Sequence, residues 1–450
     1  MKTLGVSPAR VVAFAVVRRT FEEGAYADRA LHAEAADLDA RDRALAMRIA
    51  FGTIQRRATL DHVIGVLAER PPGKLDPSVL AALRLGLFQL LFLDGVPAHA
   101  AVDESVELAK ANGRAAGLVN AVLRRATREA AGLVAALDDE TPERAAILHS
   151  HPDWLVRMWW DELGAEEARL LLRADNESAE PALRANTLVT TTAALAAKLP
   201  VATHPAPGVA DGLVAERPFD AHGSALWRDG AFTPQSRASM LVARVVDPQP
   251  GERVLDLCAA PGLKTTHLAA LMRGEGHLVA IERHEGRAAA MRRTCERMHA
   301  ANVEVRVGDA RRPPVDGEFD RVLVDPPCSG LGTLRSRPDL RWRATEESIE
   351  ELAGEQAEIL ATAARHLTPG GVIVYSTCTI SRRENEDVIR AFLAGHPQFA
   401  LEDLIRDGSD FAAWQHPAMP DCLLTLPHRH GTDGFFIARM LRNPTGDAGT

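Results

Sequence analysis

Lysine is scarce in this 450-residue chain. It stands only at positions 2, 74, 110, 198 and 264, so arginine supplies 47 of the 52 basic residues. Acids outnumber bases by 61 to 52, which excludes a global positive field drawing the protein onto nucleic acid or an anionic membrane. Any hold on nucleic acid must come from local patches. Five cysteines, at 258, 295, 328, 378 and 422, include no Cys-x-x-Cys pair. That argues against a zinc finger or a disulfide framework, leaves no metal site to expect, and fits a reducing, cytoplasmic setting. No apolar run approaches the roughly 18 residues that span a bilayer, so no membrane is expected. The stretch 11–17 is too short, and too closely flanked by Arg10, Arg18 and Arg19, to read as a signal peptide. What is present is ordinary for a globular protein: 46% hydrophobic and 25% charged residues, with length enough for about three domains.

From residue 7 to about 128 the pattern is helical. Ser7-Pro8 reads as an N-cap followed by proline at the first helical position. Helical runs follow at 41–52, 60–68, 77–93, 102–111 and 114–130, separated by Pro71-Pro72-Gly73, Asp94-Gly95-Val96-Pro97 and Asn112-Gly113. This predicts a compact all-α bundle over 1–132. Residues 133–235 are mixed: a helix opened by His151-Pro152-Asp153 and carrying Trp154, Met158, Trp159 and Trp160, then short β-like segments and proline-rich loops, read as a small α+β linker domain. Within 236–442 the rhythm becomes strand, glycine-rich turn, helix. Strands are expected at 253–257, 278–281, 303–307, 321–324 and 372–375, alternating with helices at 263–273, 286–300, 345–367 and 383–394. That is the signature of a Rossmann-like α/β domain with parallel strands covered on both faces. The last ten residues, 441–450, read as frayed.

In such a sheet the ligand lies beyond the carboxyl ends of the strands, so the residues there matter most. The first strand runs into Asp256-Leu257-Cys258-Ala259-Ala260-Pro261-Gly262-Leu263-Lys264-Thr265. Small residues let backbone approach a ligand, although a plain tight turn would look the same. Neither Gly-x-Gly-x-x-Gly nor a Walker loop is present. Glu282 stands after the second strand, where an acid can accept both hydroxyls of a ribose or simply face solvent. Asp309 stands after the third, placed to meet an adenine amino group. Three acids at three consecutive strand ends favour a nucleoside site. The fourth strand ends in Asp325-Pro326-Pro327-Cys328-Ser329-Gly330 and the fifth in Tyr375-Ser376-Thr377-Cys378-Thr379. Cys258, Cys295 and Cys422 read as small buried apolar residues. Cys328 and Cys378, at the ligand edge, invite a chemical role.

These motifs resemble those of the RNA cytosine-C5 methyltransferases of the NOL/NOP/Sun group, and within it the bacterial enzymes of small-subunit (16S) ribosomal RNA. The likeness extends to the 331–342 and 426–436 runs, to Asn176, Arg184, Asn186 and Thr187 where that family has an Arg-x-Asn-Thr motif, and to a NusB-like, RNA-binding N-terminal domain. It implies that Cys258, Ala259, Ala260, Pro261, Gly262, Leu263 and Lys264, with Glu282, Asp309 and Asp325, hold S-adenosylmethionine. It also implies that Cys378 is the nucleophile, assisted by Cys328 and Asp325. Two departures stand out: Leu263 fills a position commonly glycine, and Gln235-Ser236 replaces the common Gln-Asp, leaving Ser236 without a role. A thiol is chemically apt, because cytosine C5 attacks a methyl donor only after a soft nucleophile has added to C6. A stacked base is out of reach and must be flipped out or single-stranded. Arg335, Arg337, Arg341 and Arg343, and Arg124, Arg125 and Arg128 in the helical domain, are candidate RNA grips. RNA rather than DNA is the expected partner, acting on a monomer. Two alternatives stay open: Cys328 as nucleophile, or a non-catalytic RNA-binding assembly factor.

Overall fold

The computed structural model describes residues 5–110, 116–405 and 410–444. The chain forms two compact units: one runs to Ser178 and takes in Leu334–Arg343, the other comprises Ala179–Thr333 and the chain from Ala344 onward. The helices between 142 and 174 therefore group with the first unit, and the small sheet that follows groups with the second.

The first unit is helical. Its helices are Pro8–Glu22, Ala27–Glu34, Ala40–Gln55, Arg57–Ala68, Pro77–Phe92, Ala98–Ala109, Ala116–Ala135, Pro142–Leu148, Asp153–Leu163 and Ala165–Ala174. Pro77–Phe92 is buried on nearly every side, from Val79 through Gln89, because its sequence is apolar all round. Asp76 caps it by accepting from the Ser78 amide. Ser7 occupies the N-cap position of the first helix as expected, but its side chain accepts no helix amide. Its hydroxyl instead donates to Glu104, which also takes the buried Arg10 guanidinium. The short helix Ala27–Glu34, with three buried residues, was not expected from the sequence. The Asn112-Gly113 break, and the ends of the predicted helices that border it, lie outside the described residues.

The second unit holds two sheets. β1 (Ala182–Ala185), β2 (Thr203–Pro205), β3 (Gly212–Ala215) and β4 (Phe232–Pro234) form an antiparallel sheet in the order β2-β3-β1-β4. The larger sheet contains β5 (Arg253–Asp256), β6 (His277–Glu282), β7 (Val303–Val307), β8 (Phe319–Val324), β9 (Leu367–Thr377), β10 (Phe399–Leu401), β11 (Cys422–Thr425) and β12 (Phe435–Arg442). Its order is β10-β12-β9-β8-β5-β6-β7, with β11 also on β12. β5 to β9 are parallel, as the alternation of strand and helix predicts. β12 is antiparallel to β9, β10 and β11, so the sheet is mixed rather than all-parallel. This corrects the C-terminal expectation: Leu441 and Arg442 are not frayed but pair with Ala400 and Phe399, while 445–450 lie outside the described residues. Among the described residues no helix is long and apolar enough to cross a membrane.

Candidate active site

From β5 the parallel strands extend both ways, β6 and β7 to one side, β8 and β9 to the other. A crevice opens beyond the carboxyl ends at such a switch point. The loop leaving β5 turns through Gly262, whose φ of 96° is left-handed, directly into the helix Leu263–Leu271. Arg184 of β1 holds this turn from behind: its guanidinium, fully buried, donates to the Leu263 carbonyl at 2.8 Å and the Thr266 hydroxyl at 2.9 Å. Asn186 donates to the carbonyls of Gly230 and Met298. The Arg-x-Asn-Thr motif thus fastens the small sheet to the larger domain.

Lys264, the first turn of that helix, donates from Nζ to Asp325 Oδ2 at 2.7 Å, and Ser376 donates to the other oxygen at 2.9 Å. Burial works against the Lys264 charge, but Asp325 and then Cys378 outweigh it and raise its pKa above the ordinary lysine value. Beside this pair the Cys328 and Cys378 sulfurs lie 3.3 Å apart, both half-buried. The hydrogen bond to Cys378, then burial and the carboxylates of Glu384 and Asp325, push the Cys328 thiol well above its usual range. Cys258 is likewise pushed well up by burial, and Cys295 and Cys422 up to about 12, as inert packed thiols should be.

Glu282 is buried, 4% exposed, at the end of β6. One of its oxygens accepts the His284 amide at 2.8 Å. Among the described residues the other meets only the Arg287 guanidinium, at 3.5 Å, and so keeps capacity to accept a diol. A buried acid with spare acceptor capacity, beside a loop of small residues entering a helix, fits a nucleoside-bearing cofactor. Asp309 differs from expectation in one respect. Arg311 grips its carboxylate in a fork, at 2.7 and 3.0 Å, and holds its pKa to about 2.

Residues that sequence reasoning passed over complete the site. Ser376 lies inside a recognised motif, yet its bond to Asp325 had no signal. Ser236, left without a role, caps the helix Arg237–Val246 by accepting from Ser239. Glu384 and Gln356 are fully buried beneath the Cys328 turn, although Glu384 reads in sequence as one charge in a polar run.

The arginine expectations need correction at Arg341. It is fully buried in the first unit and donates to the carbonyls of Ser150 and Asp175 at 3.0 and 3.1 Å and to Asn176 Oδ1 at 3.2 Å, so it offers nothing to RNA. Burial lowers its pKa to about 10. Arg125 is bound to Glu69 and Glu129, and Arg335 donates to the Ser178 carbonyl. Arg343 stacks over Tyr26, 4.0 Å from the ring centre. Arg124, Arg128, Arg337 and Arg343 are exposed.

The model of the family described as 16S rRNA methyltransferase RsmB/F matches residues 243–441, that of the NusB family 7–128, and that of a ferredoxin-like domain of RsmF/B-like methyltransferases 151–222. A probable ribosomal RNA small subunit methyltransferase B from Synechocystis sp. is 36% identical over 450 residues, covering 96% of this chain and 99% of that protein. This chain belongs to the RsmB/F family. A second RsmB-type relative, the probable ribosomal RNA small subunit methyltransferase B of Bacillus subtilis, is 33% identical over 90% of this chain and 91% of its own. Among solved structures, NSun6 from Pyrococcus horikoshii, determined with SFG, superposes with a TM-score of 0.61 at 25% identity, covering 66% of this chain and all of that one. As an RsmB/F protein the chain is an S-adenosylmethionine-dependent rRNA methyltransferase, with a NusB-like helical domain, a ferredoxin-like small domain and a mixed-sheet catalytic domain.

Proposed function

We propose that the protein methylates carbon 5 of a cytosine in 16S ribosomal RNA, with Cys378 as nucleophile and Cys328 as the group that allows release. The observation that carries this reading is the pair of thiols 3.3 Å apart beside the Lys264–Asp325 ion pair. The Cys258–Lys264 backbone, Glu282, Asp309 and Asp325 would hold S-adenosylmethionine, which would supply an electrophilic methyl group. Cys378 adds to C6 of the flipped base, and electron density moves to C5. The proton the ring needs at N3 comes from the Lys264–Asp325 pair. Lys264 favours negative charge at Cys378, whereas Glu384 and Asp325 oppose it at Cys328. Once the Cys378 sulfur is bonded to carbon, its hydrogen bond and charge no longer add to the burial and the carboxylates that raise the Cys328 thiol. Cys328 gives its thiol proton to solvent and, as a thiolate, takes the C5 proton; the sulfur–carbon bond breaks, its electrons return to Cys378, and the N3 proton returns to the Lys264–Asp325 pair.

The names of the curated relatives support the small-subunit target. Exposed Arg337, Arg343, Arg124 and Arg128 are the proposed phosphate contacts. Segment 1–132 serves RNA binding, 133–235 links and 236–442 catalyses, in a cytoplasmic monomer. Cys378→Ala should abolish methyl transfer to a 16S fragment while calorimetry finds S-adenosylmethionine affinity nearly intact. Cys328→Ala should accumulate protein covalently bound to RNA on a denaturing gel. The reverse pair of phenotypes would make Cys328 the nucleophile, and cofactor binding without turnover by the unaltered protein would point to an assembly factor.

A further inference from the structure

Behind the two thiols lies an acid whose part in the chemistry above is only to oppose negative charge at Cys328. Glu384 is completely buried. Its Oε1 accepts the Ser329 amide at 2.8 Å and Gln356 Nε2 at 3.1 Å, and its Oε2 accepts the Ser329 hydroxyl at 2.5 Å. The same Gln356 nitrogen donates to the Pro327 carbonyl at 2.9 Å, while the Tyr375 hydroxyl donates to Gln356 Oε1 at 3.0 Å and lies 2.5 Å from the Glu384 carbonyl. The peptide groups on both sides of Cys328 are therefore held, one through each end of the bracket. Gln356 comes from the helix Glu346–Arg365 and Glu384 from just ahead of the helix Glu386–Gly395, so two separate elements converge on one turn.

A buried carboxylate carries a large desolvation penalty, which hydrogen bonds from a neutral turn offset only in part. Glu384 forms no ion pair among the described residues. Burial accordingly raises its pKa, and its bonds to Ser329 oppose the rise. An apolar residue would pack there without that penalty. What it would not do is fix the Ser329 amide and hydroxyl at once. The hydroxyl also meets Thr379 Oγ1 at 2.7 Å, one residue past Cys378, so the bracket sets the spacing of the two cysteine-bearing segments.

We propose that Glu384, with Gln356 as its neutral arm, is a positioning residue for Cys328: it fixes the Pro327–Ser329 turn so that the thiol meets the C5 proton of the RNA adduct. This rests on the reading of Cys328 as the releasing group. Loss of the bracket then impairs release and spares attack by Cys378.

The test compares a 16S fragment carrying cytosine with the same fragment carrying 5-fluorocytosine, which has no C5 proton, so capture on it requires Cys378 but gives Cys328 nothing to remove. Glu384→Gln should slow multiple turnover on ordinary RNA by on the order of 10- to 100-fold and leave protein bound to it on a denaturing gel. It should capture the fluorinated RNA at nearly the unaltered rate. Normal turnover without adduct overturns the proposal, and so does a parallel loss on both RNAs, which a merely structural role would produce. If Glu384→Gln does not fold, Gln356→Met carries the same comparison with the same expected split. Cys328→Ala run alongside separates the two levels. If it traps RNA while the bracket variants release normally, positioning alone fails; if it does not trap, the reading of Cys328 fails and the positioning role with it.

Discussion

Asp256 is a carboxyl group at the end of β5 with 1% of its surface exposed. Burial pushes its pKa from 3.8 up to about 7, against the Thr265 hydroxyl bond that favours the charged form, with Asp325 adding repulsion. Because the folded value lies above the unfolded one, the protonated acid contributes stability in full below about pH 4. That contribution is lost as pH rises through 7. Asp256→Asn should remove this slope. Between pH 5 and 8, in urea titrations without cofactor, the unaltered protein should lose roughly 2 kcal/mol more than the variant. Parallel pH profiles would mean the acid is already ionised in the folded state. At this scale the sequence was a good guide wherever a residue stands at a strand end. Asp256, Glu282, Asp325, Cys328 and Cys378 all lie at the ends of the parallel strands, as their positions after apolar runs predicted. Glu384 was illegible because nothing local distinguishes a buried acid from a solvated one in Arg-Arg-Glu-Asn-Glu.

Among elements, β12 borders the site, paired with the strand β9 that runs into Cys378. Its start is tied to the Cys378 segment through a backbone relay: Gly434 donates to the Gly332 carbonyl at 2.7 Å, and Gly332 donates to the Cys378 carbonyl at 3.0 Å. The approach is so close that a Cβ on Gly332 would lie 1.9 Å from the Gly434 oxygen. Gly332→Ala must therefore move backbone. It should lower stability by about 1–3 kcal/mol, the range for forced overpacking, and should slow capture of 5-fluorocytosine RNA by displacing Cys378. A variant with unaltered denaturation midpoint and capture rate would show that the two segments yield without cost. The parallel strands β5 to β9 were legible because doubly covered strands are short, continuous apolar runs between turns and helices. β12 was not. Its partner β9 lies some sixty residues upstream with no hairpin turn between them, so periodicity could not reveal the pairing.

For the whole molecule, the excess of nine acids gives net charge no pull on RNA, so any grip falls to a few placed cations. The ten residues 334–343 show how sequence alone misjudges which cations those are. They follow the Cys328 loop in the chain, so four arginines beside it looked like a substrate-facing strip, yet the decapeptide belongs to the first compact unit. There the Trp342 indole donates to the Ile54 carbonyl, and Arg341 satisfies carbonyls left open at the ends of the helices Pro142–Leu148 and Ala165–Ala174. No local pattern announces that a segment folds with a domain nearly three hundred residues away. Arg341→Met should therefore cost on the order of 2–4 kcal/mol of stability, because it strands buried acceptors. Arg337 is exposed, and Arg337→Ala should leave the denaturation midpoint where it is. It should instead weaken RNA binding uniformly and flatten the dependence of log affinity on log salt by about one phosphate contact. Measured side by side, the two variants should separate cleanly: one loses folding, the other loses salt-sensitive affinity. A salt slope unchanged by Arg337→Ala would move the RNA track to the other exposed arginines, Arg124, Arg128 and Arg343.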